Sequence, residues 1–308
     1  MNTKELANLL QERSIAYEQE GPLARYTTFQ TGGRAEIIAH PACPEEGDFL
    51  FQYARQNKID FFILGGGSNL LISDKGFGGL VIKADYPKEF HLLEETKNSV
   101  LIETNASCPT SWFSRQMAER GYAGAQFLAT IPGTLGGALL QNAGCYGGEM
   151  SQVVKSALIS NGSGMHKVKA TEMELAYRSS AFKNKNPALV HSIVFELTPG
   201  QDPAALQSEI DKNRQMRLQS QPKNRKSAGS VFKNPPGQKA WQLIEAAGCQ
   251  GMQIGGALLS PEHSNFIVND GGATSADIFE LMRTIQDKVK DQSGILLEPE
   301  IVLIGDFS

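Results

Sequence analysis

Phe61-Phe62-Ile63-Leu64-Gly65-Gly66-Gly67-Ser68-Asn69 is the stretch on which the fold turns: a short apolar run with the character of a buried strand, followed at once by three glycines. A dinucleotide pyrophosphate needs backbone N–H groups brought close to its oxygens. Only residues without side chains permit that approach, so glycines clustered after an apolar strand suit phosphate binding. Three glycines after a strand serve equally as a tight turn, and this segment alone does not choose. A second segment adds weight: IPGTLGGALLQNAGCYG, residues 131–147, is dense in glycine and carries the amide pair Gln141-Asn142. Two such segments flanking a strand-rich stretch suit a long ligand with its phosphates between them.

Other phosphate-binding explanations fail on spacing. No Gly-x-Gly-x-x-Gly follows the first strand with an acidic residue ~20 positions on, as a Rossmann fold requires, and there is no Walker A sequence. A chain of 308 residues is expected to form two or three packed units. A net charge of −4 and a pI near 5.8 point away from nucleic-acid and anionic-membrane partners. No apolar run reaches the ~20 residues of a membrane span, and residues 1–13 are polar rather than signal-like, so a cytoplasmic protein is expected. Cys43, Cys108, Cys145 and Cys249 are far apart and lack histidines at ligand spacing. No metal site and no disulfide framework is expected, and each cysteine is read as a small buried hydrophobe.

Around the glycine segments the periodicities alternate. Residues 3–13 and 44–57 predict short helices, the first with Leu6, Leu9 and Leu10 on one face, the second with Phe49, Leu50, Tyr53 and Ala54. Strands are predicted at 61–64, 80–83, 100–104, 153–160 and 189–197, with 65–79 as a loop and Asn161-Gly162-Ser163-Gly164 as a hairpin turn. Residues 109–120 predict a helix opened by Pro109 and closed by Gly121. A further helix is expected over 202–219, then a loop or hinge at 221–227. The strongest amphipathic pattern lies at 275–292, where Ile278, Leu281, Met282, Ile285 and Val289 keep three-four spacing before Gly294. A last strand is predicted at 295–304.

Taken in order, Tyr26-Thr-Thr-Phe-Gln-Thr-Gly-Gly33, GGGSNLL, IPGTLGGA, QNAG, Tyr177-Arg178, GSVFKNP and Leu297-Glu298-Pro299-Glu300 resemble the UDP-N-acetylenolpyruvoylglucosamine reductase (MurB) family of bacterial cell-wall synthesis. The match runs from about Tyr26 to Gly305. GGGSN and IPGTLGGA alone would support only the wider vanillyl-alcohol-oxidase (PCMH) type of FAD fold. The resemblance implies an α+β protein: an FAD-binding two-domain scaffold of that type plus a C-terminal α+β substrate domain. The divisions fall at 1–83 and 84–205 for the cofactor, with a strand from 295–308 returning to the first, and 206–294 for the substrate. It also implies FAD as cofactor, NADPH as co-substrate, and a UDP-N-acetylglucosamine enolpyruvate substrate sharing one site with NADPH. No obligate protein partner is evident.

By the same resemblance the cofactor-binding residues are Gly65, Gly66, Gly67, Ser68 and Asn69 in the first segment, with Ile131, Pro132, Gly133, Thr134, Gly136, Gly137, Ala138, Asn142 and Gly144 in the second. Ser230 matches the proton donor. Arg178 and Glu300 match residues that stabilise the enol-like intermediate, and Tyr177, Lys233 and Asn234 match substrate-binding positions. The short distance from Arg178 to Ser230 and the YRSSAFK segment point to the family form without an extra tyrosine-bearing loop. Read without the family, each residue has a plainer role: Gly229-Ser230 as turn chemistry, Arg178 as a solvated or ion-paired cation, Glu300 as an edge-strand charge, Asn234 as a cap.

Other features carry less. Arg214, Arg217, Lys223, Arg225 and Lys226 form a local basic stretch that could draw a diphosphate, with surface solvation the plainer fate for most. His263 is expected to be a hydrogen-bonded structural histidine, Cys145 to pack as alanine would, and Trp241 to alter helix packing rather than chemistry. Two competing functions stay open: another FAD oxidase or dehydrogenase on the same scaffold, and a non-catalytic flavin-binding relative.

Overall fold

The computed structural model describes residues 3–183, 187–222 and 226–308. The chain divides into two compact units, one of residues 1–18, 37–66 and 80–217, the other of residues 19–36, 67–79 and 218–308. In chain order the elements before the second glycine segment are α1 (Thr3–Glu12), β1 (Ala16–Pro22), β2 (Arg34–His40), α2 (Pro44–Gln56), β3 (Phe61–Ile63), β4 (Leu70–Ile72), β5 (Phe77–Ile82), β6 (Phe90–Glu95), β7 (Val100–Asn105) and α3 (Thr110–Glu119). They continue as α4 (Leu135–Leu140), β8 (Gly144–Cys145), β9 (Gly148–Glu149), β10 (Val154–Asn161), β11 (Gly164–Lys169), β12 (Leu189–Leu197) and α5 (Pro203–Ser220). The last group is α6 (Ala240–Ala246), β13 (Gln253–Ile254), β14 (Ala257–Leu259), β15 (Ile267–Asn269), α7 (Ser275–Ser293) and β16 (Val302–Ile304).

In the first unit, β3 pairs in parallel with β5, Phe61 opposite Leu80, in one sheet. A second sheet, antiparallel throughout, runs β11-β10-β12-β7-β6. Its central strand β12 is buried at eight of nine positions, as a strand covered on both faces should be. Helix α2 buries Gly47, Leu50, Phe51 and Ala54. Phe51 is thus the inward aromatic, and Phe49 is left half-buried with the Arg13 guanidinium 3.7 Å over its ring. The edge strand β6 was invisible in the sequence because nothing on it is buried: Leu92 and Leu93 are 53% and 50% exposed, and the ladder slips between Leu92 and Glu94. Such a bulge on an edge discourages pairing with another chain.

In the second unit, α7 buries the five residues read from its spacing. Thr274 and Asp277 form its capping box, and Gly294 ends it at φ +74°. Both carboxylate oxygens of Asp74 accept from the first turn, at Ser275 (2.9 Å) and Ala276 (2.8 Å), which ties the loop after β4 to the helix. Residues 65–79 are not all loop: β4 pairs in parallel with β16, Leu70 opposite Val302. The predicted strand 295–304 is shortened to Val302–Ile304. Pro299 in the preceding segment has no N–H to give a ladder. The three-stranded sheet β13-β14-β15 and helices α6 and α7 close one core around Phe232, Ile244, Ile267 and Leu281.

Candidate functional site

The two glycine segments meet in the first unit. A Cβ on Gly66 would lie 2.5 Å from the Cα of Gly133, and one on Gly65 would lie 2.8 Å from Thr134 Oγ1. Both are too close for a real side chain, so the loops touch through backbone only. Among the described residues, no backbone or side-chain acceptor takes the N–H of half-buried Gly65 or exposed Gly66. A glycine cradle with unclaimed N–H groups is what a pyrophosphate requires, so these residues fit FAD.

The second segment is held from beneath. Thr110 donates its hydroxyl to Ile131 O and its N–H to Gly133 O, Leu135 N–H donates to Cys108 O, and Gly136 N–H donates to Ala106 O at 2.8 Å. Gly136 lies against the strands so closely that a Cβ there would sit 3.1 Å from the Ala106 Cβ. That contact explains why residue 136, inside helix α4, is a glycine. Thr134 caps it, accepting from Gly137 N–H at 3.4 Å, while Ala138 is buried in the core.

Asn142 is 1% exposed and adopts φ +40°; its amide donates to Ala176 O and its carbonyl accepts from Ser151 N–H. Its polar atoms thus join the loop to the turn that carries Arg178. Gly144 pairs with Glu149 across the short β8–β9 ladder, where a Cβ would meet Glu149 Cβ at 2.6 Å. Burial pushes the Cys145 thiol up, away from thiolate, and it rests on Thr130 Oγ1 (3.2 Å) and Phe127 O. That agrees with alanine-like packing.

Tyr177 and Arg178 form the tip of a tight turn closed by reciprocal bonds between Ala176 and Ser179. Tyr177 is 53% exposed, and Arg178 donates from Nη2 to Gly144 O at 3.3 Å. Its backbone stands at φ +54°. An L-residue held there costs ~1–2 kcal/mol, and such outliers gather where a site demands them. Arg178→Gly is accordingly expected to be more stable than Arg178→Ala by about 1 kcal/mol. Thermal unfolding measures this, and equal stability of the two would remove the strain argument. Of the basic stretch, Arg217 is half-buried and donates to Thr130 O, whereas Arg214 and Lys226 are exposed; Lys223 and Arg225 lie outside the described residues.

The other matching residues belong to the second unit. Residues 230–233 run between two extended segments: Val231 N–H donates to Asn265 O on one side, and Glu300 N–H donates to Val231 O at 2.8 Å on the other. Ser230 and Glu300 therefore sit on neighbouring segments in fixed register. Gly229 turns into this run at φ +81°. Ser230 is half-buried, and its hydroxyl has no hydrogen-bond partner among the described residues. Asn69, expected at the cofactor, donates its amide to Glu300 O (3.0 Å) and accepts Val302 N–H, so it positions Glu300.

Lys233 bonds Glu298, and Asn234 Oδ1 accepts the Ala240 N–H at 3.0 Å, capping α6. His263 accepts Asn265 N–H on Nδ1, packs its ring edge-on to Phe266, and is held below its usual range by burial, which agrees with a structural histidine. Among the described residues no cluster of His, Cys, Asp or Glu could hold a metal, and no helix is long and apolar enough to cross a membrane.

Residues 35–169 match the family model of an FAD binding domain, and residues 221–304 match that of the UDP-N-acetylenolpyruvoylglucosamine reductase C-terminal domain. A UDP-N-acetylenolpyruvoylglucosamine reductase of Leptospira interrogans is 39% identical across 99% of this chain and 96% of its own length. The chain belongs to the UDP-N-acetylenolpyruvoylglucosamine reductase family. A reductase of Lactobacillus acidophilus is likewise 39% identical, over 98% of this chain and 99% of its own. The crystal structure of the Thermus caldophilus reductase superimposes with a TM-score of 0.77 at 30% identity, covering 94% of this chain and 99% of that one. Membership makes the protein an FAD-dependent oxidoreductase of peptidoglycan synthesis, a UDP-N-acetylmuramate dehydrogenase. The α+β expectation holds, with an FAD-binding part followed by the reductase part.

Proposed function

We propose that this reductase uses NADPH to convert UDP-N-acetylglucosamine enolpyruvate to UDP-N-acetylmuramate in the cytoplasm, with Ser230 as proton donor. The observation that carries the assignment is the register of residues 230–233 against Glu300, with a Ser230 hydroxyl that has no partner among the described residues. The same reading divides the chain into cofactor segments 1–83 and 84–205 and a substrate segment 206–294. Bound FAD supplies the two-electron transfer between NADPH and the enolpyruvyl double bond. Reduction at the terminal methylene carbon pushes negative charge onto the α-carbon and carboxylate of the substrate, which calls for a cation and a proton. Arg178 supplies a planar guanidinium whose fork of donors suits a carboxylate. Ser230 gives its proton to the α-carbon, and Glu300, fixed by Val231 and Asn69 through its own backbone, completes the stabilising set. Gly65, Gly66 and the 131–138 segment hold the FAD pyrophosphate, while Tyr177, Lys233 and Asn234 serve the sugar nucleotide.

Spectroscopy tests this directly. The purified protein should be yellow, bleach with NADPH under nitrogen, and regain its colour with one equivalent of UDP-N-acetylglucosamine enolpyruvate, yielding the lactyl ether. Indifference to the UDP-sugar, together with oxygen-dependent turnover of an alcohol or hydroxy acid, would instead favour a different flavin oxidase.

A further inference from the structure

A polar chain that none of the cofactor or substrate assignments uses runs through the core of the first unit. Tyr86 OH lies 2.8 Å from His191 Nδ1, His191 Nε2 lies 2.6 Å from Ser160 Oγ, and Ser160 Oγ lies 2.6 Å from Asp48 Oδ1. Gln52 donates to the same Asp48 oxygen at 3.1 Å. His191 and Ser160 are 0% exposed and Tyr86 only 6%.

Proton accounting gives the chain one direction. An ionised Asp48 can only accept, so Ser160 must give it the single hydroxyl proton. Ser160 then has none for His191, so Nε2 carries a hydrogen and donates to Ser160. That leaves Nδ1 of a neutral imidazole as acceptor, and Tyr86 donates into it. Burial supports this state, holding the His191 pKa down to about 4 and pushing the Tyr86 phenol up. The titratable groups acting on the pair are Cys43, Glu45, Glu46 and Asp48, at the start of α2. Tyr86 also fits only because residue 47 is glycine: a Cβ there would be 2.2 Å from the phenol oxygen.

Asp48, at one end of this chain, and His191, within it, lie on the two layers that carry the glycine loops. Asp48 and Gln52 are on α2, which leads through β3 into Gly65-Gly66. His191 is on β12, and its backbone carbonyl accepts Ala106 N–H (2.8 Å), whose own carbonyl accepts Gly136 N–H (2.8 Å) in the second loop. From this placement we infer that the Tyr86–His191–Ser160–Asp48 chain is a positioning device for FAD: it locks α2 to β12 and so fixes the separation at which Gly66 meets Gly133. The inference rests on the flavin site described above.

Apoprotein FAD affinity, read by flavin fluorescence well below the thermal midpoint of each variant, tests it. Losing the lock leaves a smaller fraction of molecules with the loops in register, and the dissociation constant rises by the inverse of that fraction. Ser160→Ala should weaken FAD binding by ~10-fold or more, equivalent to a competent population of ~10%. Tyr86→Phe, which keeps the ring and removes only the terminal donor, should shift binding in the same direction and covers the case that Ser160→Ala does not fold. His191→Gln, able to accept from Tyr86 and donate to Ser160, should retain most of the affinity. Val168→Ala, a core truncation on the edge strand β11, should lower the thermal midpoint with FAD affinity held near wild type. Wild-type affinity in folded Ser160→Ala or Tyr86→Phe, or equal weakening in Val168→Ala, would overturn the positioning role. A wild-type protein that fails to bind FAD at all would overturn the flavin site itself.

Discussion

Ser230→Ala is expected to leave reduction of the flavin by NADPH near its wild-type rate and to slow reoxidation by UDP-N-acetylglucosamine enolpyruvate by at least ~10²-fold, the contribution of a positioned proton donor. A serine hydroxyl is a weak acid, so it can act only on a strongly basic acceptor such as the α-carbon carrying the charge of the added hydride. Reduction by NADPH generates no such carbanion and needs no proton from this residue. The geometry also makes the substitution clean. The hydroxyl has no partner among the described residues, and the backbone of the run is fixed by Val231 and Phe232, which bond Asn265, and by Glu300. Alanine therefore removes a proton and leaves the register intact. Stopped-flow absorbance resolves the two half-reactions, and equal slowing of both would sink the assignment.

Gly66→Ala is expected to cost the protein its flavin, with FAD affinity reduced by ~10²-fold or more, the loss that follows when only ~1% of molecules hold the loops in register. The obstacle is space: the new methyl would sit 2.5 Å from Gly133 Cα and 3.4 Å from Thr134 N, both backbone atoms that cannot swing aside. The two loops must part, and the cradle opens. Gly78→Ala, on β5 and outside both glycine segments, is the control. Its methyl would meet nothing within 4 Å. It should be neutral or stabilising by up to ~1 kcal/mol. Flavin content of the purified variants and a fluorescence titration of the apoproteins distinguish the two, and a Gly66→Ala protein that purifies fully yellow would refute the contact argument.

Much of the fold was legible because its signals are local. Helix α7 declares itself through five apolar residues at helical spacing, a threonine cap and a closing glycine, and the structure realises each of them. The hairpin from β10 to β11 follows from Asn161 to Gly164, which face one another across the turn. Strand β6 left no trace because a solvent-facing edge needs no apolar period. Strand β4 was obscured for another reason: its partner, β16, lies more than two hundred residues away, and nothing in the triplet names it. Asn69 illustrates the same limit at the site: its amide bond to Glu300 O joins residues more than two hundred positions apart, and no pattern around either one announces it.

The sequence by itself determined that two glycine segments bracket a strand-rich region, and that Arg178, Ser230 and Glu300 occur in an order matching a reductase, since residue types and short spacings are properties of the chain alone. Only the tertiary structure decided which glycines touch, that Arg178 is held at positive φ, and that buried Ser160 joins Asp48 on α2 to His191 on β12. Those outcomes depend on distances between segments far apart in the chain. Such distances are set by how two layers pack and by where each buried proton can go, and no local pattern of residues encodes them.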